Sequence, residues 1–243
     1  MNMEDKIIQE KINKIHEFLP NIEIVPAILS AKHKQVKTLL ELFIPIFTKI
    51  DIDINDNSII DGITTIDTED IIQILHQITF ENNPKKFPQI GIHLMVGNYQ
   101  KYLPPHILKK IHEVCIQYES INFYDDELSE SLLKYRESNK NLKISLSISP
   151  PHQKEFEYII THDTEKIYLF DKIQIMTVYP GKQGGVFLEN CLEIIPKIKN
   201  LAPEMRLKID GGINAKMLLD VSSRSLEYLN LVEEASVGSY LIP

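Results

Sequence analysis

The sequence predicts a single (β/α)8 barrel, the TIM barrel architecture, with a short helical extension at the N-terminus. Strand-like and helix-like patterns alternate along almost the whole chain, as they do where parallel strands are joined by crossover helices. Eight strand candidates at this spacing favour a closed barrel over an open sheet. With 243 residues, 43% of them hydrophobic, the chain can bury one large core, and that length is ordinary for this fold.

The chain begins with an amphipathic helical pattern. Ile8, Ile12 and Ile15 recur at helical spacing among charged residues, whereas a signal peptide would carry an uninterrupted apolar centre. We therefore expect a helical extension over residues 1–20 and one barrel domain over residues 21–243. No apolar run approaches the ~20 residues that span a bilayer.

The barrel elements follow in order. The strand candidates are short β-rich runs, the last of them the least clear, at residues 22–29, 49–54, 89–95, 120–124, 142–148, 172–178, 206–210 and 235–238. The helix candidates have apolar residues at spacings of three and four, at residues 36–47, 68–79, 105–117, 127–135, 188–199 and 215–221.

Charge and cysteine content narrow the class of protein. A net charge of -8 argues against nucleic acid as the main partner, because phosphate backbones are bound by clustered Lys and Arg. This balance suits a cytoplasmic enzyme. The two cysteines, Cys115 and Cys191, both fall in predicted helices, which indicates reduced thiols rather than a disulfide or a thiolate metal site.

Acidic and imidazole side chains gather at predicted strand ends. Alternation puts Asp51, Asp53 and Asn55 on one face of the second strand and His93 with Met95 on one face of the third, while Asp210 ends the seventh. Parallel strands end at one edge, so Asp51, Asp53, His93 and Asp210 could converge on a divalent Zn, Fe or Mn ion. Spacing alone favours the simpler interpretation, in which each group is a solvated strand end or a satisfied core polar group.

Six short motifs resemble those of the ribulose-phosphate 3-epimerase family, in the same order and at similar spacing. They are PAILSA at 26–31, DIDIND at 51–56, HLMV at 93–96, MTVYPG at 176–181, DGGIN at 210–214 and VGS at 237–239. The resemblance covers nearly the whole chain after the extension. It implies a ribulose-phosphate-binding barrel that inverts C3 of a ketopentose phosphate, interconverting ribulose 5-phosphate and xylulose 5-phosphate.

The resemblance also implies roles for individual residues. Asp53 and Asp210 match the two catalytic aspartates, which act as acid and base on opposite faces of C3. Together with His93 they match ligands of a divalent metal, with Asp51 at the fourth ligand position. The family's pocket lining matches Met95, Met176 and, less closely, Ser149.

The phosphate end of the family's site matches three glycine-containing loops. They follow the sixth, seventh and eighth strands, and the last lies where the family starts a short helix. The matching residues are Gly181, Lys182, Gln183, Gly184, Gly211, Gly212, Gly238 and Ser239. Backbone N–H groups there would hold the phosphate. Lys182 would add a positive charge, and a solvated loop lysine is an equally open interpretation.

The chain departs from the family pattern at several of these positions. Asp51 stands where the family has its first metal histidine, Asn55 where it has a methionine, and Lys182 where it has a bulky apolar residue. Ala27 and Ser149 replace a serine and an asparagine. An extra carboxylate favours a harder cation such as Mn or Fe over Zn, and a metal-free site stays open.

Two other functions stay open. One is a phosphate-binding barrel enzyme of the decarboxylase and hexulose-phosphate synthase type, although the Asp-x-Lys-x-x-Asp arrangement of those enzymes lacks its lysine in residues 51–56. The other is a non-catalytic sugar-phosphate binder. We expect a small phosphorylated sugar as the partner, neither nucleic acid nor membrane, with a homo-oligomer left open.

Overall fold

A computed structural model describes residues 3–30, 32–62, 64, 66–82, 87–125, 127–181 and 184–243. Its eight strands follow one another in chain order around a closed parallel barrel, so the predicted fold is confirmed. Every helix in the described part of the chain is too short or too polar to cross a membrane.

The strands are short and nearly all their residues are buried. They are β1 (Glu23–Ile28), β2 (Lys49–Asn55), β3 (Gln89–Met95), β4 (Glu113–Gln117), β5 (Lys143–Ile148), β6 (Lys172–Met176), β7 (Arg206–Asp210) and β8 (Glu234–Val237). The helices are α1 (Met3–His16), α2 (His33–Phe43), α3 (Thr68–Asn82), α4 (Pro105–Leu108), α5 (Glu127–Ser138), α6 (Gln153–His162), α7 (Ile194–Leu201), α8 (Ala215–Asp220) and α9 (Ser223–Leu229). Several connections also contain short 3-10 turns.

The chain forms two compact units, one of residues 26–145 and one of residues 1–25 with 146–243. Within the first, β2 pairs in parallel with β3, and β3 with β4. Within the second, β6 pairs with β7, and β7 with β8. The changes from one unit to the other fall inside β1 and β5.

The pleat of β2 explains which side chains enter the barrel. Ile50, Ile52 and Ile54 lie on one face and are almost completely buried, as residues are when helices cover them. Asp51 and Asp53 take the opposite face, which points into the barrel, and both are buried as well. The predicted acidic inner face of this strand is therefore present.

The fourth strand differs from its prediction. Residues 105–117 were expected to be helical and residues 120–124 extended, but the helix ends at Leu108 and the strand is Glu113–Gln117. The spacing of Ile107, Ile111 and Val114 imitates a helix, because a short buried strand after a one-turn helix gives the same apolar recurrence. Cys115 consequently lies in a strand. Both cysteines are buried, and they are not joined by a disulfide.

Two helices were missed from the sequence. Helix α6 fills the connection from β5 to β6, and α9 follows α8 after a break at Val221 and Ser222. The Ser222 side chain accepts a hydrogen bond from the backbone N–H of Ser225, which starts α9 as a new helix.

The N-terminal extension folds as the predicted amphipathic helix. Ile8, Ile12 and Ile15 of α1 are buried. The Lys11 ammonium donates a 2.7 Å hydrogen bond to the Ile242 carbonyl and lies 5.7 Å from the centre of the Tyr240 ring. Helix α1 is therefore tied to the segment that follows β8.

Candidate functional site

Asp53 and His93 meet inside the barrel because their strands are in register. The two residues are direct partners in the β2–β3 pair, and both side chains are buried. The distance from His93 Nδ1 to Asp53 Oδ1 is 3.2 Å. Burying this polar pair is costly unless each group is hydrogen-bonded, protonated or bound to a cation.

Gln117 determines which nitrogen of the His93 ring carries the proton. The Gln117 Oε1 atom lies 2.9 Å from His93 Nε2, and the Gln117 side chain is buried at the end of β4. An amide oxygen can only accept, so it selects the ring form that carries a proton on Nε2. In the neutral ring this leaves the Nδ1 lone pair facing Asp53, which is the arrangement of a histidine metal ligand.

Asp210 ends β7 and is held by the neighbouring strand β6. Gln174 Nε2 donates a 2.8 Å hydrogen bond to Asp210 Oδ2. The Asp210 carbonyl accepts hydrogen bonds from the backbone N–H and the hydroxyl of Thr177, at 2.8 and 3.1 Å. Both the side chain and the backbone of Asp210 are thus fixed.

Asp53, His93 and Asp210 form a group that fits a divalent metal ion. Each offers one ligand atom, and the three atoms lie within 4.8 Å of one another. Two ligands about 2.1 Å from a shared ion are separated by about 3.0 to 3.4 Å, close to the spacing of His93 Nδ1 and Asp53 Oδ1. One imidazole with two carboxylates suits Zn, Fe or Mn.

Asp51 is outside this group. It lies two residues before Asp53, with Ala27 and Gly91 as its strand partners. A Cβ atom on Gly91 would clash with Asp51 Oδ1, so the missing side chain of Gly91 makes room for this carboxylate. Asp51 therefore lies in the layer of the barrel interior that precedes Asp53. That it acts as a fourth metal ligand remains a prediction.

The predicted pocket-lining residues are all buried. Met95 pairs with Asn55 across β2 and β3, and Met176 pairs with Asp210 across β6 and β7. Ser149 directly follows β5 and precedes a 3-10 turn. Each methionine therefore shares a strand level with a polar residue that ends the neighbouring strand.

The loops after β6 and β7 contain four glycines in the left-handed region. Gly181, Gly184, Gly211 and Gly212 have φ of 103°, 76°, 104° and 72°, which other residues rarely adopt. A Cβ on Gly211 would also press on Val178, with Cγ1 only 2.9 Å away. These loops depend on glycine, as backbone that closes around a phosphate group does.

The third segment that was predicted to bind phosphate has a different local structure from its prediction. Gly238 begins a turn in which Leu241 N–H donates to the Gly238 carbonyl at 3.1 Å, so residues 238–241 do not start a helix. Four residues are too few for an α-helical N-terminus with a strong dipole. Lys182 and Gln183 lie outside the described residues.

Sequence reasoning missed both glutamines of the site. Gln174 is at an inward position of β6, and the alternation that identified Asp53 would also have found it. Gln117 could not be found in that way, because its segment was assigned to a helix.

The fold resembles those of two structures with very different sequences. The deoxyribose phosphate aldolase from Aeropyrum pernix superposes with a TM-score of 0.60 at 12% identity, covering 100% of this chain and 96% of that one. The tryptophan synthase alpha chain from Legionella pneumophila subsp. pneumophila gives 0.55 at 12% identity, covering 100% and 87%. At such low identity these similarities concern the barrel fold alone.

Curated relatives share part of the sequence. The ribulose-phosphate 3-epimerase of Schizosaccharomyces pombe is 26% identical over 124 residues, which are 51% of this chain and 49% of the relative. The ribulose-phosphate 3-epimerase of Aquifex aeolicus is 25% identical over 136 residues, 54% of this chain and 56% of the relative. The chain thus spans about half the length of the curated relatives it matches. The family model of ribulose-phosphate 3-epimerases matches much more of it, from residue 23 to residue 230, and the chain belongs to this family.

Proposed function

We propose that this protein is an isomerase that inverts C3 of a ketopentose phosphate, interconverting ribulose 5-phosphate and xylulose 5-phosphate. The observation that carries the proposal is the grouping of Asp53 and Asp210 with His93 inside the barrel. Family membership supports the substrate class.

Asp53 and Asp210 would exchange the proton at C3. Removing a proton next to a carbonyl leaves an enediolate, and returning one to the opposite face inverts the carbon. Two bases on separate strands suit this chemistry, because one carboxylate can serve each face.

The same aspartates and His93 would hold a divalent cation. When bound, the cation would supply positive charge beside the oxygen on which negative charge develops. Gln117 would keep the His93 Nδ1 lone pair available, and Gln174 would orient Asp210. Asp51 would act as a fourth ligand or would orient the others from the layer beneath.

The glycine loops after β6 and β7 would bind the phosphate. Their positive-φ glycines free the backbone N–H groups to converge on an anion without side chains in the way. Gly238 and Ser239 would add a third segment. Lys182 would neutralise part of the charge of the phosphate, and Gln183 would be a further contact.

The function is tested by incubating the purified protein with ribulose 5-phosphate in deuterated water and following exchange at C3. We expect deuterium in both epimers. Asp53→Asn and Asp210→Asn should each lower the rate of epimerisation by a factor of ~10² to 10⁴. One base remains in each variant. Slow exchange of the C3 proton should therefore persist in one epimer more than in the other.

Asp220→Asn is the matched control, since Asp220 is an exposed carboxylate at the end of α8. It should leave the rate unchanged. Normal epimerisation in both site variants would refute the assignment of the two bases. Tight binding of ribulose 5-phosphate by the parent protein without any C3 exchange would identify a non-catalytic sugar-phosphate binder.

A further inference from the structure

Asn55 ends β2 with a buried amide side chain. Its side chain is only 1% exposed at the end of β2. Among the residues that the structure describes, none accepts a hydrogen bond from Asn55 Nδ2. A buried donor without an acceptor costs about 1 to 3 kcal/mol, so its presence calls for an explanation.

The orientation of this amide is fixed by the chain itself. Asn55 Oδ1 accepts a 2.9 Å hydrogen bond from the backbone N–H of Asn57. Turning the amide over would place an NH₂ group against that N–H, so the oxygen must face Asn57. The Nδ2 atom therefore points away from the loop that begins after β2.

The surrounding backbone holds Asn55 in place. Its N–H donates to Thr64 Oγ1 at 3.2 Å, and its carbonyl accepts from the Thr64 N–H at 2.9 Å. Asn57 has a φ of 65°, and its own side chain accepts a hydrogen bond from Gly62 N–H at 2.9 Å. The amide is thus presented by an ordered turn, and its side chain is not free to search for another partner.

The position of Asn55 relates this donor to the proposed catalytic centre. Asn55 lies two residues after Asp53 on the same inward face of β2, and its strand partner is Met95. His93, two residues before Met95, contacts Asp53. Asn55 and Met95 therefore form the layer that directly follows the Asp53–His93 pair toward the carboxyl ends of the strands, where barrel enzymes bind their substrates.

We propose that Asn55 is a specificity-determining residue whose Nδ2 donates a hydrogen bond to an oxygen of the sugar chain of the substrate. The inference rests on the proposed function and adds to it a recognition contact that an apolar side chain at this position could not make. Such a donor discriminates strongly, because a ligand that lacks the oxygen leaves the buried amide unsatisfied.

Two substitutions separate recognition from structure. Asn55→Asp keeps an oxygen that accepts from Asn57 N–H, removes the donor and adds a negative charge, whereas Asn55→Met removes the donor and the acceptor without adding charge. If Asn55 recognises the sugar, both variants should lower kcat/KM for ribulose 5-phosphate by about tenfold, the effect of losing one hydrogen bond. If it only holds the turn, Asn55→Asp should match the parent and Asn55→Met alone should be impaired.

Inorganic phosphate provides a control for the added charge and for folding. Phosphate has no sugar chain, so its inhibition constant should be the same in the parent and in both variants. Asn230→Asp is the matched control, because it makes the same change at an exposed amide that follows α9. It should retain the parent kcat/KM.

The possible outcomes can be told apart. A parent protein that exchanges C3 while Asn55→Met keeps the full kcat/KM overturns the inference and leaves the proposed function standing, with an ordered water as the partner of the amide. A parent that neither exchanges C3 nor binds ribulose 5-phosphate refutes the proposed function itself.

Discussion

The amide side chains of two glutamines determine what the candidate site can do. Gln117 places an oxygen beside His93 Nε2, and Gln174 places an NH₂ group beside Asp210 Oδ2. Each amide contacts one atom of its partner, so a ligand of that residue would meet the other ring nitrogen or the other carboxylate oxygen. The identities of Asp53, His93 and Asp210 could be predicted from the sequence, but the atom that each presents could not, since this depends on neighbours from other strands.

Tyr102 should make the stability of the protein depend on pH above pH 10. Burial, followed by the negative charge of Asp56, raises the pKa of Tyr102 from 10.0 to about 12. Its hydroxyl donates to Asp56 Oδ2 at 3.2 Å. In the unfolded chain the phenol ionises first, so the stability that depends on the protonated phenol is complete below pH 10 and is lost as the pH rises toward 12.

The measurement is urea unfolding at pH 9 and at pH 11. Raising the pH should lower the unfolding midpoint more for the parent than for Tyr102→Phe, which has no phenol to ionise. Tyr124→Phe, which changes an exposed ring, should show the parent's dependence on pH. Because burial also raises the pKa of Tyr135 to about 12, only differences between variants are compared. Equal losses in parent and Tyr102→Phe would contradict the prediction.

The close packing of β2 against β3 depends on a residue without a side chain opposite Asp51. Asp51 of β2 pairs with Gly91 of β3, and a Cβ on Gly91 would overlap Asp51 Oδ1. Gly91→Ala should therefore push the buried Asp51 carboxylate aside and lower the free energy of unfolding by about 1 to 3 kcal/mol, as overpacking does. Urea unfolding of the purified variant measures this loss.

A double-mutant cycle tests the cause of that loss. In an Asp51→Ala background the obstructing carboxylate is gone, so the further change Gly91→Ala should cost much less than it does in the parent. Gly91→Ala costing the same in both backgrounds would show that backbone strain or a contact with another residue is responsible.

The bounds of the strands β3 and β7 could be predicted from the sequence, whereas those of β4 could not. β3 and β7 have the predicted bounds, because a glycine closely follows each strand, Gly97 after β3 and Gly211 after β7. β4 has only five residues after a four-residue helix, so its Val114, Cys115 and Ile116 continue the apolar spacing of the helix. β4 pairs with β3, where Gly91 lies opposite Glu113. This pairing is a tertiary contact, so the local spacing of apolar residues could not predict it.

The barrel interior contains many buried polar groups, which is unusual for a protein core. In the unit that contains β6, β7 and β8, Glu234 accepts from Lys172 at 2.6 Å and from Arg206 at 2.8 Å. In the unit that contains β2, β3 and β4, the buried hydroxyl of Ser145 donates to the half-buried Glu113 at 2.7 Å. Since these groups are hydrogen-bonded, burying them costs less than burying isolated charges.

A divalent ion bound by Asp53, His93 and Asp210 should stabilise the folded protein. The two carboxylates come from strands far apart in sequence, and an ion that binds all three side chains binds only the folded chain. Such a ligand stabilises by mass action, by about 2.7 kcal/mol at one hundred times its Kd. For a chain of this size that corresponds to a rise in Tm of roughly 5 to 11 °C.

The experiment is a thermal unfolding series of chelator-treated protein with Mn²⁺, Fe²⁺, Zn²⁺ or Mg²⁺ added singly under anaerobic conditions. We expect Mn²⁺, Fe²⁺ and Zn²⁺ to raise Tm more than Mg²⁺, because an imidazole ligand suits transition metals. His93→Ala should abolish the rise, whereas His106→Ala, which changes an exposed histidine of α4, should preserve it.

Asp51→His would restore the family's ligand type and should shift the preference toward Zn²⁺, because imidazole is a softer ligand than carboxylate. Equal Tm values with and without every metal would argue for a metal-free site, and a rise that survives in His93→Ala would place the ion elsewhere on the protein.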